Sequence, residues 1–294
     1  MKTHLLAVAL LAGLAFQAQA AKPIDETRKL DARGSVEIEN VKGRIEVRTW
    51  DKPEVHIGGS LGDGVERFSI DGSSDRLEVK VKYPNNSSGS EPTTLLLKVP
   101  TLASVSIDGV AVAIDVVGVA GRELEIDSVS GEVVAAGAPE SADIQSVSGQ
   151  LRLNLNSASV DVESVSGDIA LRGRLTGDVD AETVSGNIEI DSRDQRARRI
   201  DTSTVSGDAS IRGGLADGGK IRAESVSGDI RVTLPRSLSA RVSGESFSGS
   251  LRAPDASINK PKYGPGSSFE HTYGEGRGEI RLETFSGDAE LRLE

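Results

Sequence analysis

From Gly34 onward apolar and polar residues alternate in short runs. Ile169 and Leu171, then Val179 and Ala181, are separated by Asp168, Arg172, Asp178, Asp180 and Glu182, and Val184 continues the apolar set. A period of two predicts strands, and nothing carries the 3.6-residue period of a helix. Two such strands hold too little apolar surface to bury alone, so they need neighbours of the same kind.

Those neighbours are written into the chain. The phrase Ser164-Val165-Ser166-Gly167 returns with its glycine at 131, 149, 167, 186, 207, 228, 249 and 287, with intervals of 18, 18, 19, 21, 21, 21 and 38 residues. A period near twenty predicts coils stacked at about 4.8 Å, with inward Val, Ile and Leu in continuous columns. The glycine reads as a corner that needs positive φ or close approach to the next coil, and its serines as a hydrogen-bonding file there. The fold class expected is all-β, a parallel β-helix or β-solenoid of about 18–21 residues per turn with irregular N-terminal turns.

The front is less regular. Residues 21–33 read as a polar leader or cap over the first turn, and 34–104 as irregular turns in which Asn40-Val41-Lys42-Gly43 is a degenerate phrase. Residues 105–253 carry the regular repeats, and Val112 stands where the first phrase would have its glycine. Residues 193–199 lengthen one turn without moving the phrase. Residues 254–278 form an insertion whose Tyr263, Phe269 and Tyr273 are read either as part of an ordinary loop or as a lid over the side or the open C-terminal end. Residues 279–294 are expected as the last turn. No barrel-forming segments follow, so a self-contained autotransporter is not expected.

Residues 1–20 supply an address. Lys2, the apolar run Leu5 to Phe16 and Ala18-Gln19-Ala20 make a Sec-type signal peptide with cleavage expected after Ala20, too short for a membrane span. The rest of the chain is expected to lack a transmembrane span, and without a cysteine after the cleavage site no lipid anchor is expected. Without Lys2 the chain carries 33 Lys+Arg against 45 Asp+Glu, a net charge of −12. Such a surface disfavours nucleic acid. The chain has no cysteine, hence no disulfide or thiolate metal site, and aromatics are 3%, which suits a narrow aliphatic interior.

Two acidic rows are the candidate chemistry. Four residues before each glycine stand Asp127, Gln145, Glu163, Glu182, Ser203, Glu224, Glu245 and Glu283; one residue after stand Glu132, Gln150, Asp168, Asn187, Asp208, Asp229, Ser250 and Asp288. Stacking puts like charges one coil apart, which costs stability unless solvent, arginine or a cation screens them. Arg152, Arg231 and Arg252, and Arg172, Arg212 and Arg292, are the candidate partners. The rows read as a solvated face with rim ion pairs or as a cation-bridged or ligand-binding ridge.

Catalysis has no anchor. His56 and His271 lie in different repeats without paired acids at metal spacing, no histidine accompanies the serines, and no catalytic, cofactor-binding or metal residue is assigned. Gly58 to Asp63 fails the calcium nonapeptide at Leu61, the sequons at Asn85 and Asn86 are weak in a chain of bacterial style, and the cluster Arg193, Arg196, Arg198 and Arg199 reads as a solvated corner.

The serial Ser-Val-Ser-Gly-Asp-Ile phrases, the opening Asn40 to Val47 and the Leu-x-Val-Pro step at Leu97 to Pro100 resemble the bacterial "putative adhesin" family of exported β-strand-repeat proteins, a domain of unknown function. The resemblance covers residues 34–294 and implies a β-solenoid exported to periplasm, outer surface or medium, with no catalytic residues to carry over. The function expected is a non-catalytic envelope or surface module that binds envelope glycans or proteins through repeated faces. The alternatives are a polysaccharide-active β-helix enzyme and a self-assembling envelope filament.

Overall fold

The computed structural model describes residues 22–84 and 89–294; the stretch expected to be a signal peptide and both sequons lie outside the described residues. Among those residues the chain is all β, with twenty-two strands and no helix. The front comprises β1 (Lys22–Lys29), β2 (Ser35–Trp50), β3 (Glu54–Leu61), β4 (Arg67–Gly72), β5 (Arg76–Lys82) and β6 (Thr93–Pro100). The middle runs through β7 (Ser104–Val117), β8 (Glu123–Ser130), β9 (Val133–Gly137), β10 (Ser141–Ser146), β11 (Leu151–Leu155), β12 (Ser159–Ser164), β13 (Ile169–Arg172), β14 (Asp178–Thr183), β15 (Ile188–Thr204) and β16 (Ala209–Ser225). The rear is β17 (Ile230–Leu234), β18 (Ala240–Ser246), β19 (Leu251–Arg252), β20 (Ser267–Tyr273), β21 (Gly278–Thr284) and β22 (Ala289–Leu293).

Each coil gives one strand to each of two faces, and pairing within the stack is parallel. On the first face β8, β10, β12 and β14 pair in turn, followed by the C-terminal halves of β15 and β16. On the second, β9, β11 and β13 pair before the N-terminal halves of β15 and β16, then β17. Inward residues such as Val160, Val162, Ile169 and Leu171 are almost wholly buried, whereas the residues between them face solvent. The alternation therefore does select the interior.

The phrase makes the corner. Ser128, Ser146, Ser164, Thr183, Thr204 and Ser225 are register partners in one buried file. From Ser146 onward each hydroxyl accepts the N–H of the glycine three residues later, as Ser164 Oγ does from Gly167 at 2.8 Å. Close approach, rather than left-handed backbone, selects the glycine at most corners. A Cβ on Gly167 would stand 1.9 Å from the Gly149 carbonyl oxygen, and of the phrase glycines only Gly131 has a left-handed φ, 128°.

Val112 in place of glycine is matched by a second exchange. Gly109 holds the place of the file's serine, and a Cβ there would meet Val112 Cβ at 3.2 Å. The valine side chain fills the space the missing serine vacates. Its apolar surface offers no hydrogen bond, and Asn40 Oδ1 and Ser128 Oγ on either side of Gly109 in the stack are both buried without a partner.

Chain order and stacking order part company at both ends. β2 lies between the β5/β6 coil and β7, because it pairs in parallel with all three. Residues 279–294, expected as the last turn, are one coil inside the rear end: β21 pairs with β16 and with β18, and β22 with β17 and β19. The insertion explains the difference. It folds back as β20, antiparallel on the outer side of β18, with Phe269 and Tyr273 buried. With that edge taken, the returning chain enters between β16 and β18, where both edges of its own strand find partners. The aromatics thus cover the end as a lid, while Tyr263 stays 83% exposed. At the front, the stretch read as a leader forms β1, antiparallel on β3, and β4 lies antiparallel on β5.

Candidate functional site

Parity places the phrase valine outside. Val179, Ala181 and Thr183 point inward, so Val184 cannot, and it is 46% exposed. Sequence reasoning missed this by grouping Val184 with the apolar set. Val110, Val129, Val147, Val165, Val205 and Val226 repeat the same exposed position, and Phe285 and Phe247 extend it with rings stacked at 4.6 Å. A rib of apolar side chains in water along the whole stack has no role in the core.

Beside the rib runs the row that stands four residues before each glycine. Glu39, Asp108, Asp127, Gln145, Glu163 and Glu182 are successive register partners on the first face. Between this row and the rib lies a groove of about 900 Å³ with the buried serines as floor. A further segment of about 850 Å³ shares Ser203 and Val205 with it and meets Asn259, Pro261 and Pro265 of the insertion at the rear.

The two acidic rows have different fates. In the row that follows the glycine, Asp168 Oδ1 accepts the Asn187 N–H at 2.8 Å, Asp208 Oδ1 that of Asp229 at 2.8 Å, and Asp229 Oδ1 that of Asp288 at 2.8 Å. These side chains bind one coil to the next. The candidate arginines serve the second face: Arg172 pairs with Glu189 at 2.7 Å, Arg212 with Glu294 at 2.6 Å and Arg292 with Glu290 at 2.9 Å, while Arg152 meets Glu132, Arg231 meets Glu290 and Arg252 meets Asp288. None of them screens the groove.

From β7 to β14 the first face presents no Lys or Arg between its outward carboxylates. Burial and the neighbouring carboxylates Glu182, Asp161 and Asp201 push Asp180 up to about 6, against a weaker pull from Arg199. Burial, then like charge, also raises Asp108, Asp127, Asp161 and Glu163. A carboxyl raised in the folded state binds more protons there than when unfolded, so stability falls as pH rises through the window from about 4 to about 6. The ion-paired Glu37 and Glu290 are lowered, and their contribution is lost only below the ordinary carboxylate range. The melting temperature is therefore expected to be higher at pH 5 than at pH 7.5, and Asp180→Asn to stabilise at pH 7.5 by about 0.5–1 kcal/mol. Thermal melts at the two pH values check both; an unchanged melt would mean that the carboxylates of this face do not repel one another.

Among the described residues one trio of acids converges, Glu37, Glu39 and Glu78, and Lys80 Nζ already sits 2.6 Å from both Glu39 and Glu78 while Arg76 holds Glu37. His56 lies beside Thr27 at 3.3 Å near the front end, and His271 packs edge-on against Tyr273 in the rear cap. The basic cluster of the lengthened turn is a surface corner in which Arg198 pairs with Asp178 and Arg199 with Asp201. Among the described residues no helix is long and apolar enough to cross a membrane.

A family model described as Toastrack DUF4097 matches residues 22–217 and 214–292. Among solved structures, one titled "putative lipid binding protein" from Parabacteroides distasonis aligns with a TM-score of 0.52 at 11% identity, over 92% of this chain and 96% of that one. A "putative adhesin" from the same organism aligns at 0.50 with 10% identity, over 92% and 97%. Another from Bacteroides fragilis shares 13% identity over 94% and 98% at a TM-score of 0.43. Among curated proteins none matches.

Proposed function

The chain belongs to the Toastrack DUF4097 family, and from that premise we propose that it is a β-solenoid exported to the cell envelope or surface, where it binds without catalysis through the grooved first face. The observation that carries this reading is the exposed Val and Phe rib, beside which Asp108, Asp127, Glu163 and Glu182 stand without a Lys or Arg from β7 to β14. An apolar rib half-exposed to water costs solubility and adds nothing to the core, which is expected of a contact surface. Repetition at one-coil spacing favours extended partners that gain from many weak contacts. Similar structures named for adhesion support the same class. The lipid-binding name of another fits the rib, but the carboxylate row beside it disfavours an anionic bilayer.

The alternatives receive less support. A polysaccharide-active enzyme needs acids converging on one bond, whereas the groove carboxylates are spread in a file. A filament that continues the parallel stack would have to grow on β1, β4 and β20, which lie antiparallel at its ends. Two changes that reverse the rib's character, Val165→Asp and Val184→Asp, are expected to leave the fold intact, because both side chains lie in solvent, and to abolish retention of the mature protein on isolated envelopes. Equal retention of the variant in a co-sedimentation assay would remove the grooved face from the function.

A further inference from the structure

We propose that the rib pairs two copies of this chain side by side, with their stacks parallel and each rib seated in the other's groove. This rests on the grooved face being a contact surface and names a partner for it.

The size of the rib calls for cover. From Val110 to Val226, then through Phe285 and Phe247, its side chains are each between 43 and 54% exposed. At that exposure they leave about 700 Å² of apolar surface in one strip, more than the roughly 300–600 Å² of the largest patch on a typical monomer. With the serines and carboxylates that flank it, the strip approaches the roughly 800 Å² per partner of a stable interface.

The repeat selects the occupant. The rib offers one side chain per coil, a step of about 4.8 Å. An extended polypeptide brings a side chain to one face at every second residue, about 6.6 Å, so its contacts drift out of register within a few coils. A second copy has the same step and the same coil-to-coil twist, and a contact made at one level recurs at every level. The groove of about 900 Å³ runs beside the rib from the Val41 coil to the Val205 coil. It gives each coil space for one branched side chain of the partner, and such interdigitation buries both ribs at once.

Charge selects the orientation. A two-fold axis along the stack carries each rib into the other's groove and lays Glu163 and Glu182 over the exposed corner serines of the second copy, Ser166 and Ser185. A two-fold axis across the stack would instead lay rib on rib and row on row. Carboxylates would then meet carboxylates, because Glu224, Glu283 and Glu245 continue the row at the rear. The parallel pair is closed: both grooves are filled and no rib remains to recruit a third copy.

The test is sedimentation equilibrium of the mature protein, in which the mass is expected to rise with concentration from one chain to two and no further. Both copies are acidic, so the dimer should tighten several-fold as salt is raised. Val165→Asp with Val184→Asp should weaken it at least ten-fold while leaving the urea midpoint close to the parent's, and Glu189→Gln on the second face should change nothing. The chain has no cysteine, so oxidation of single variants reads the orientation. Val129→Cys and Val226→Cys should each give a covalent dimer, because a parallel pair holds both copies of either position at one level. A mass that stays at one chain, a dimer as tight from the double variant as from the parent, or the absence of both cross-links would overturn the proposal. If the mass stays at one chain while envelope retention still depends on Val165 and Val184, self-pairing falls and the contact surface stands.

Discussion

Gly167→Val is expected to remove more than about 4 kcal/mol of stability, enough to unfold the coils around it, whereas Asp168→Ala, one residue on, should cost about 1–2 kcal/mol. The Gly167 backbone crosses the coil below so closely that an added Cβ would lie 1.9 Å from the Gly149 oxygen and 2.8 Å from its carbonyl carbon. No rotamer relieves a clash at Cβ. Relief requires the two coils to part, and their parallel ladders on both faces part with them. The obstacle is backbone rather than φ, so Gly167→Ala should fail for the same reason. Asp168→Ala by contrast loses a carboxylate that accepts from the Asn187 N–H at 2.8 Å and its Nδ2 at 3.2 Å, exposed bonds that water can replace in part. Urea denaturation of the two variants checks the contrast, and equal shifts in midpoint would contradict the corner.

Removal of residues 279–294 should do more than shorten the stack. β21 and β22 lie between β16/β17 and β18/β19, and β18 has no partner besides β21 and its own cap β20. Without the intervening coil, β18, β19 and β20 lose their attachment to the body, and residues 235–278 should become open to proteolysis and hydrogen exchange. If those residues were stacked on β16 in chain order, truncation would strip only a terminal coil and leave β18 protected. Hydrogen exchange of the truncated chain separates the two outcomes: rapid exchange across residues 240–246 is expected, and retained protection there would contradict the tucked coil.

Much of this architecture was legible before any coordinates. Period-two alternation identified the strands, and the recurrence of Ser-Val-Ser-Gly identified the stack, because a serine file and a glycine corner are both consequences of one coil lying on another. The order of the rear coils was not legible. The inward pattern of Ile280, Leu282 and Thr284 repeats that of the other coils, so the sequence alone does not distinguish a place beside Ser225 from one beyond Ser246; the fold-back of β20 decides it. The rib was readable and was missed, since a buried Thr183 forces Val184 outward by parity alone. The two acidic rows looked equivalent as sequence, and only the hydrogen bonds from Asp168, Asp208 and Asp229 to the next coil separate the structural row from the one that borders the groove.

Spin labels on the rib test the stacked order and the continuity of the grooved face together. With Cys at position 129 as the fixed site, a partner label at 285 should lie six coils away, about 29 Å, and one at 247 seven coils away, about 34 Å. Double electron–electron resonance on the Val129→Cys/Phe285→Cys and Val129→Cys/Phe247→Cys variants should therefore return the longer distance for position 247. The reverse order would put the C-terminal coil at the end of the stack, and two short distances would mean that the valines form no rib.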